Sequence, residues 1–291
     1  MIIGLDLGGT KLAGIICTPD GKIQMDVQVP TEAAKGQAQV IANIKKAIRM
    51  LKESRKTSIR AIGIGAPGPI LFDKGIVVEA PNLPGWHHVN LKKILEKEFK
   101  VPVFVDNDAN CAALAEAKFG AGKNVQNFIY VTVSTGIGGG IIIDRKLYHG
   151  IQGSAGEFGH MKIIPEGGPL CGCGRTGCLE ALASGSAMKR ESGIDALALE
   201  LAARQGDPKA QAVIRQAAHY LAIGVGNLIN IFNPQLVIIG GGVSNMRELL
   251  IDPVREEIKQ HALKLPVRHV KVVRAKLGTK AGVLGAAALC L

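Results

Sequence analysis

What the sequence lacks narrows its class before any motif is read. No apolar run is long enough to cross a bilayer: the longest, Ala281–Leu291, falls short of the roughly 20 residues a membrane helix requires. The first residues, MIIGLDLGG, carry no basic region and meet a glycine turn at once, so they read as a strand and not as a signal peptide. A cytoplasmic protein with no membrane partner is the resulting expectation. Low-complexity segments and short tandem repeats are absent too. Neither a Walker A motif, with its terminal GK[ST], nor the full dinucleotide fingerprint occurs.

What remains is a chain of 291 residues, enough for one large or two moderate domains. Hydrophobic residues make up 47% and charged residues 20%, the balance of a soluble globular protein. The net charge is +11, yet the lysines and arginines are spread along the chain. The densest stretch, Lys45–Lys56, fits a solvated helix face. No nucleic-acid partner is expected, whereas a general positive field favours an anionic ligand. The 37 glycines imply many tight turns and places of close backbone approach. Of six cysteines, Cys17, Cys111 and Cys290 sit singly in apolar segments. Cys171, Cys173 and Cys178 cluster, which in a cytosolic protein points to metal rather than disulfides.

Periodicity gives alternating strands and helices, hence an α/β class. Strands are expected at Ile2–Leu7, Leu12–Thr18, Ile23–Val29, Ile59–Ile64, Val101–Val105, Asn127–Ser134, Gly139–Asp144, Leu236–Ile239 and Val267–Arg274. Helices are expected at Gly36–Lys56, Asn90–Phe99, Asn110–Phe119, Asp207–Phe232 and Met246–Leu263, and from Ala281 onward. The segment Ala66–Trp86 reads as irregular. Two strand–glycine turn–strand units, near residues 2–18 and 127–144, suggest two domains: 1–118 with 281–291, and 119–280.

Three glycine clusters follow β-rich segments. In Asp6-Leu7-Gly8-Gly9-Thr10-Lys11, bare backbone N–H groups can approach phosphate oxygens, and Thr10 and Lys11 can donate. Asp6, at the strand end, is placed to hold Mg²⁺ through water. An ordinary hairpin accounts for this turn equally well. Thr135, Gly136 and Gly138 form a second such turn. Gly240, Gly241 and Gly242 form a third, where a flat base or ribose could lie against the backbone. In Asp106-Asn107-Asp108, a strand end meets a helix start. Asp106 or Asn107 can simply cap that helix. Alternatively, Asp108 serves as a general base and Asn107 binds hydroxyl groups. Glu157, His160 and Glu180 lie close in sequence to the cysteine cluster. His160, Cys171, Cys173 and Cys178 complete a tetrahedral set for structural Zn²⁺, with redox-active or idle thiols as the other reading.

Taken together, DLGGTK, GIGAPGP (63–69), APNLPGW (80–86), VDNDANCAALAE (105–116), TVSTGIGGG, GEFGH, CGCGRTGCLE (171–180) and IIGGG (238–242) resemble the ROK family from end to end. That family contains bacterial sugar kinases, glucokinases among them, and sugar-responsive repressors. The resemblance implies an actin-like, hexokinase-like fold of two α/β domains flanking a cleft. It implies ATP with Mg²⁺ at the first two glycine turns, and sugar at Gly68, Asn82, Asn107, Asp108, Glu157, His160 and Glu180. It implies that Asp108 is the catalytic base, that the His/Cys set binds zinc, and that the chain forms a homodimer or homotetramer. Glucose is the leading substrate. N-acetylmannosamine, fructose, mannose or allose, a polyphosphate donor, and a non-catalytic sugar sensor are alternatives. Repressor members carry a helix-turn-helix ahead of DLGGTK, for which there is no room before Asp6.

Overall fold

The N-terminal segment Ile2–Leu7 (β1), apolar except for Asp6, leaves no face for solvent and is almost wholly buried. The glycine turn sends the chain back as β2 (Lys11–Cys17), antiparallel, with Ile2 opposite Cys17 and Leu7 opposite Leu12. β3 (Ile23–Pro30) adds an edge on which Val27 and Val29 point inward. The computed structural model describes residues 1–53, 58–80 and 82–291. The helical spacing read from Gly36 gives α1 (Gln37–Glu53); the expected end at Lys56, and Pro81 of APNLPGW, lie outside the described residues. Val40, Ile44, Ile48 and Leu51 form its buried stripe. Each large aliphatic side chain buried this way contributes roughly 1.5–3 kcal/mol.

The chain divides into two compact units. The first comprises residues 1–123, 147–155 and 280–291, the second 124–146 and 156–279. In the first, α1 is followed by β4 (Ala61–Ala66) and three short strands, β5 (Ile70–Leu71), β6 (Ile76–Glu79) and β7 (His87–Asn90). α2 (Leu91–Phe99), β8 (Val103–Asn107) and α3 (Asp108–Phe119) complete the run. The main sheet has the order β3-β2-β1-β4-β8, with β4 and β8 parallel to β1. The segment expected to be irregular instead contains most of an antiparallel sheet, β5-β6-β7. Strands of two to four residues are too short for their alternation to show in sequence. Leu83 and Trp86 are buried against the same core as β1.

The second unit repeats the opening logic. β9 (Phe128–Val133) and β10 (Ile137–Ile143) pair antiparallel across a glycine turn. β11 (Lys146–Tyr148) is where the chain leaves this unit. Helices α4 (Leu179–Ala183), α5 (Gly185–Ser192), α6 (Ala196–Arg204) and α7 (Pro208–Phe232) follow. α7 begins at Pro208 because the Asp207 carboxylate accepts from the N–H groups of Lys209 and Ala210. β12 (Leu236–Gly240), fully buried, lies parallel to β9.

The helix expected at Met246–Leu263 is split into a 3-10 run, Gly242–Leu249, and α8 (Ile251–His261). Arg247 has φ 46°, a left-handed conformation that interrupts the run. The expected strand at Val267–Arg274 is corrected too. Its first half belongs to α9 (Lys264–His269), where Pro266 suits a first helical turn, and only β13 (Lys271–Arg274) joins the sheet, parallel to β12. α10 (Ala281–Ala288) then packs on β1, β4 and α3. Its small residues allow unusually close approach: a Cβ at Gly63 of β4 would lie 1.7 Å from the Ala286 carbonyl oxygen. Among the described residues no helix is long and apolar enough to cross a membrane.

Candidate active site

The strand-to-helix junction of β8 and α3 is closed by its own side chains. Asn107 is the helix cap: its Oδ1 accepts from the N–H of Ala109 (2.9 Å) and of Asn110 (3.3 Å). Its amide nitrogen donates one hydrogen to the Gly68 carbonyl at 3.2 Å and has a second to offer. Asp108 is the first helical residue and is exposed. A carboxylate there is favoured by the helix dipole. Asp106, one residue before the cap, is 3% exposed. Its carboxylate accepts from the Asn107 N–H (2.7 Å) and the Asn110 side chain (3.0 Å), and meets His149 Nε2 at 2.6 Å. The His149 ring is stacked on Phe72, centroids 3.8 Å apart. Sequence reasoning missed His149, because it reaches Asp106 across 43 positions.

At the first glycine turn, the Gly8 N–H donates to the Lys11 carbonyl (3.0 Å), and Thr31 donates to the Gly8 carbonyl (2.7 Å). The Gly8 N–H is therefore engaged within the turn itself. Gly9 packs against Asn82, and Thr10 and Lys11 stand exposed at the tip. Burial raises the pKa of the Asp6 carboxyl, with Lys11 opposing this. A cation near Asp6 would act in the same sense as Lys11.

At the second turn, Glu180 Oε2 accepts from the Ile137 N–H at 2.9 Å. A Cβ at Gly136 would sit 2.4 Å from that oxygen, so the glycine is needed to admit Glu180. Gly138, expected in the turn, instead lies in β10 opposite Thr132. The Ser134 and Thr135 carbonyls accept from the N–H groups of Gly185 and Ser186, tying this turn to the start of α5. Beside it lies a cavity of about 370 Å³ lined by Ser134, Thr135, Ser186, Lys189, Asp195 and Gly242. Gly241, at φ 83°, turns the chain from β12 into that lining. Sequence reasoning found Thr135 and Gly242 but missed Ser186, Lys189 and Asp195. Ser184, whose side chain caps α5 by accepting from Ala187, was the available signal for a helix start here.

The cysteine loop is folded by backbone bonds from Cys171 N–H to the Arg175 carbonyl and from Gly174 N–H to the Cys171 carbonyl. It brings His160 Nδ1 to 3.7 Å from Cys171 Sγ, and Cys173 Sγ to 3.8 Å from Cys178 Sγ. One ligand atom from each of the four residues lies within 4.8 Å of every other. Tetrahedral zinc with Zn–S of about 2.3 Å places two thiolates about 3.8 Å apart, so the donor set fits that ion. Burial pushes the Cys171 thiol up to about 12 and raises Cys178, while the Arg175 N–H holds Cys173 down. Neighbouring thiolates of this kind need a cation to coexist. With Nδ1 toward the cysteines, His160 turns Nε2 toward Glu157 Oε2, 4.0 Å away. Glu180 Oε1 lies 3.6 Å from Cys171 Sγ. Glu157, His160 and Glu180, expected together from their closeness in sequence to the cysteine cluster, thus gather around that loop in the second unit.

The ROK family model matches residues 2–291, and the chain belongs to that family. It is 38% identical over 306 residues to the glucokinase of Halalkalibacterium halodurans, covering 97% of this chain and 92% of that one. The structure is similar to that of a ROK family glucokinase from Streptomyces griseus in complex with glucose and AMPPNP, with TM-score 0.86, 38% identity, and 99% and 98% of the two chains covered. It is also similar to a ROK family transcriptional regulator, a homologue of an E. coli protein, with TM-score 0.91 and 28% identity over 99% of this chain and 77% of that one. The fold is the actin-like ATPase fold of the ROK hexokinases and glucokinases.

Proposed function

We propose that the protein is an ATP-dependent glucokinase that phosphorylates the 6-hydroxyl of D-glucose. The observation that carries this reading is Asp108: an exposed carboxylate on the first residue of a helix whose start is fixed by Asn107 and Asp106. Asp108 accepts the proton of the sugar hydroxyl as its oxygen attacks the γ-phosphorus. The bond from that phosphorus to the bridging oxygen breaks, and ADP leaves carrying the electron pair. Mg·ATP enters as substrate. Thr10 and Lys11 at one turn and Thr135 at the other donate to its phosphates, and the cavity beside Gly242 takes the nucleoside. Asp6 faces the Mg²⁺ through water. Gly68, Asn82 and Asn107, with Glu157, His160 and Glu180, are the residues that bind the sugar.

His149 is a positioning residue in this reading. It holds the Asp106 carboxylate, which in turn fixes the backbone N–H of Asn107 and the start of α3. The His160, Cys171, Cys173 and Cys178 set holds structural Zn²⁺. Four protein ligands would fill the coordination of that ion, whose part would be to fix the loop, and His160 Nε2 would stay available to meet a hydroxyl. The direct test is a panel of hexoses with ATP ranked by kcat/KM. Glucose leading the ranking is the expected result, and another sugar leading it would reassign the substrate. The likeness to a transcriptional regulator favours one second reading, a sugar sensor without turnover. Glucose binding without ADP release would establish it.

A further inference from the structure

Away from these residues, α7 and α8 bring together His219, Glu257 and His261. We propose that these three side chains form a second metal site, which takes a divalent transition ion such as Zn²⁺, Co²⁺ or Ni²⁺. Glu257 and His261 are four residues apart on α8 and so share a face. His219 comes from α7. One ligand atom of each lies within 4.8 Å of the other two. His219 Nδ1 is 2.7 Å from Glu257 Oε2, and the His219 and His261 rings stand edge-on with centroids 5.7 Å apart. Two imidazoles and a carboxylate suit zinc, cobalt and nickel; magnesium and calcium favour all-oxygen sets.

An ordinary ion pair between His219 and Glu257 would account for those two residues alone. It leaves His261 unexplained, and His261 carries the stronger signal. Its Nε2 is buried and has no hydrogen-bond partner. Buried polar atoms are nearly always satisfied, and a metal ion held through Nε2 would satisfy this one. The position of His261 is also built. Its carbonyl accepts from the Asn230 side chain at 3.0 Å, and Asn230 Oδ1 accepts from the Leu263 N–H at 2.9 Å. Gly226 of α7 admits it: a Cβ there would come within 2.6 Å of His261 Cβ. Support of this kind, aiming a side chain by fixing its backbone, is what a metal ligand requires.

The site differs in chemistry from the cysteine cluster. It has no thiolate, and three protein ligands leave positions for water. An ion there clips the end of α8 to the middle of α7. The absence of thiolate also makes the two sites distinguishable. Full-length protein with its cysteine cluster loaded with Zn²⁺ is titrated with Co²⁺. The expected result is one added equivalent, with a weak d–d absorption, no thiolate charge-transfer band, and a rise in Tm. His261→Ala, Glu257→Gln and the exposed His219→Ala should each weaken cobalt binding by more than about 100-fold, above the loss caused by removing a supporting partner. Circular dichroism should be unchanged, and the three separate variants guard against a single folding defect. Cobalt that appears only with the thiolate band, no binding beyond the zinc cluster, or equal binding by all three variants would each overturn the proposal.

Discussion

At the β8–α3 junction, Asp106 and Asn107 fix the helix start ahead of Asp108 by hydrogen bonds within a few residues, with two partners, His149 and Gly68, brought from afar. In the loop from Gly156 to Glu180, the carboxylates and His160 gather around a Cys/His cluster that backbone turns alone fold. The first arrangement is a strand end and a helix cap, stable wherever the main sheet is stable. The second has little secondary structure, a 3-10 turn at Phe158–His160 and two isolated bridges. A loop so poor in regular structure gains from a cross-link, and a metal held by the four convergent ligand atoms would supply one. Damage to the junction should therefore fall on chemistry, and damage to the loop on sugar affinity and stability.

The largest effect separates these two consequences. Asp108→Asn should lower kcat by about 10²–10⁴-fold, the usual worth of a general base, with Tm and zinc content unchanged. A coupled ADP assay with metal analysis checks this; near-normal turnover would sink the assignment of the base. Cys178→Ser should act on the other region. Loss of bound zinc, a lower Tm and a fall in kcat/KM of at least about 100-fold, carried mainly by KM for sugar, are expected. Full activity and Tm in protein shown to be free of zinc would remove the metal from this account.

His149→Ala sharpens the comparison within the junction. Slackening of Asp106 should displace Asp108 and cost about 10–100-fold in kcat, with KM for the sugar little changed. His149→Gln restores a donor and should recover part of the loss. A purely structural role would instead lower Tm and leave kcat of the folded fraction intact. The smallest effect on stability is that of Asn107→Ala, which removes the helix cap and should cost about 1 kcal/mol in urea unfolding, beside the rise in KM for the sugar that its proposed contact predicts.

Legibility differed between the regions for a physical reason. The His160/Cys171/Cys173/Cys178 set was readable because metal ligands of one loop are close in sequence and chemically distinctive. Asp106 and Asn107 were both readable as caps, and only the bonds from Ala109 and Asn110 to Asn107 assign the cap to Asn107; Asp108 was readable as a candidate base and keeps that role as a proposal. The two glycine turns look alike in sequence and differ in structure. Gly8 donates within its own turn, while Gly136 makes room for a carboxylate 44 positions later. The strands β5–β7 escaped notice because they are too short for periodicity. α9 read as a strand because Val267 and its neighbours are β-formers and Pro266 was not weighed as a helix starter.

By itself, then, the sequence determined the α/β class, the order of most elements, the family and the His160/Cys171/Cys173/Cys178 donor cluster, because each is written in local pattern or tight spacing. Tertiary structure alone decided that His149 holds Asp106, that Glu180 binds the second glycine turn, that Lys189 and Asp195 line the cavity beside Gly242, and that His219 meets Glu257 and His261. These pairings join residues between 38 and 53 positions apart, and only the packing of sheets and helices sets those distances.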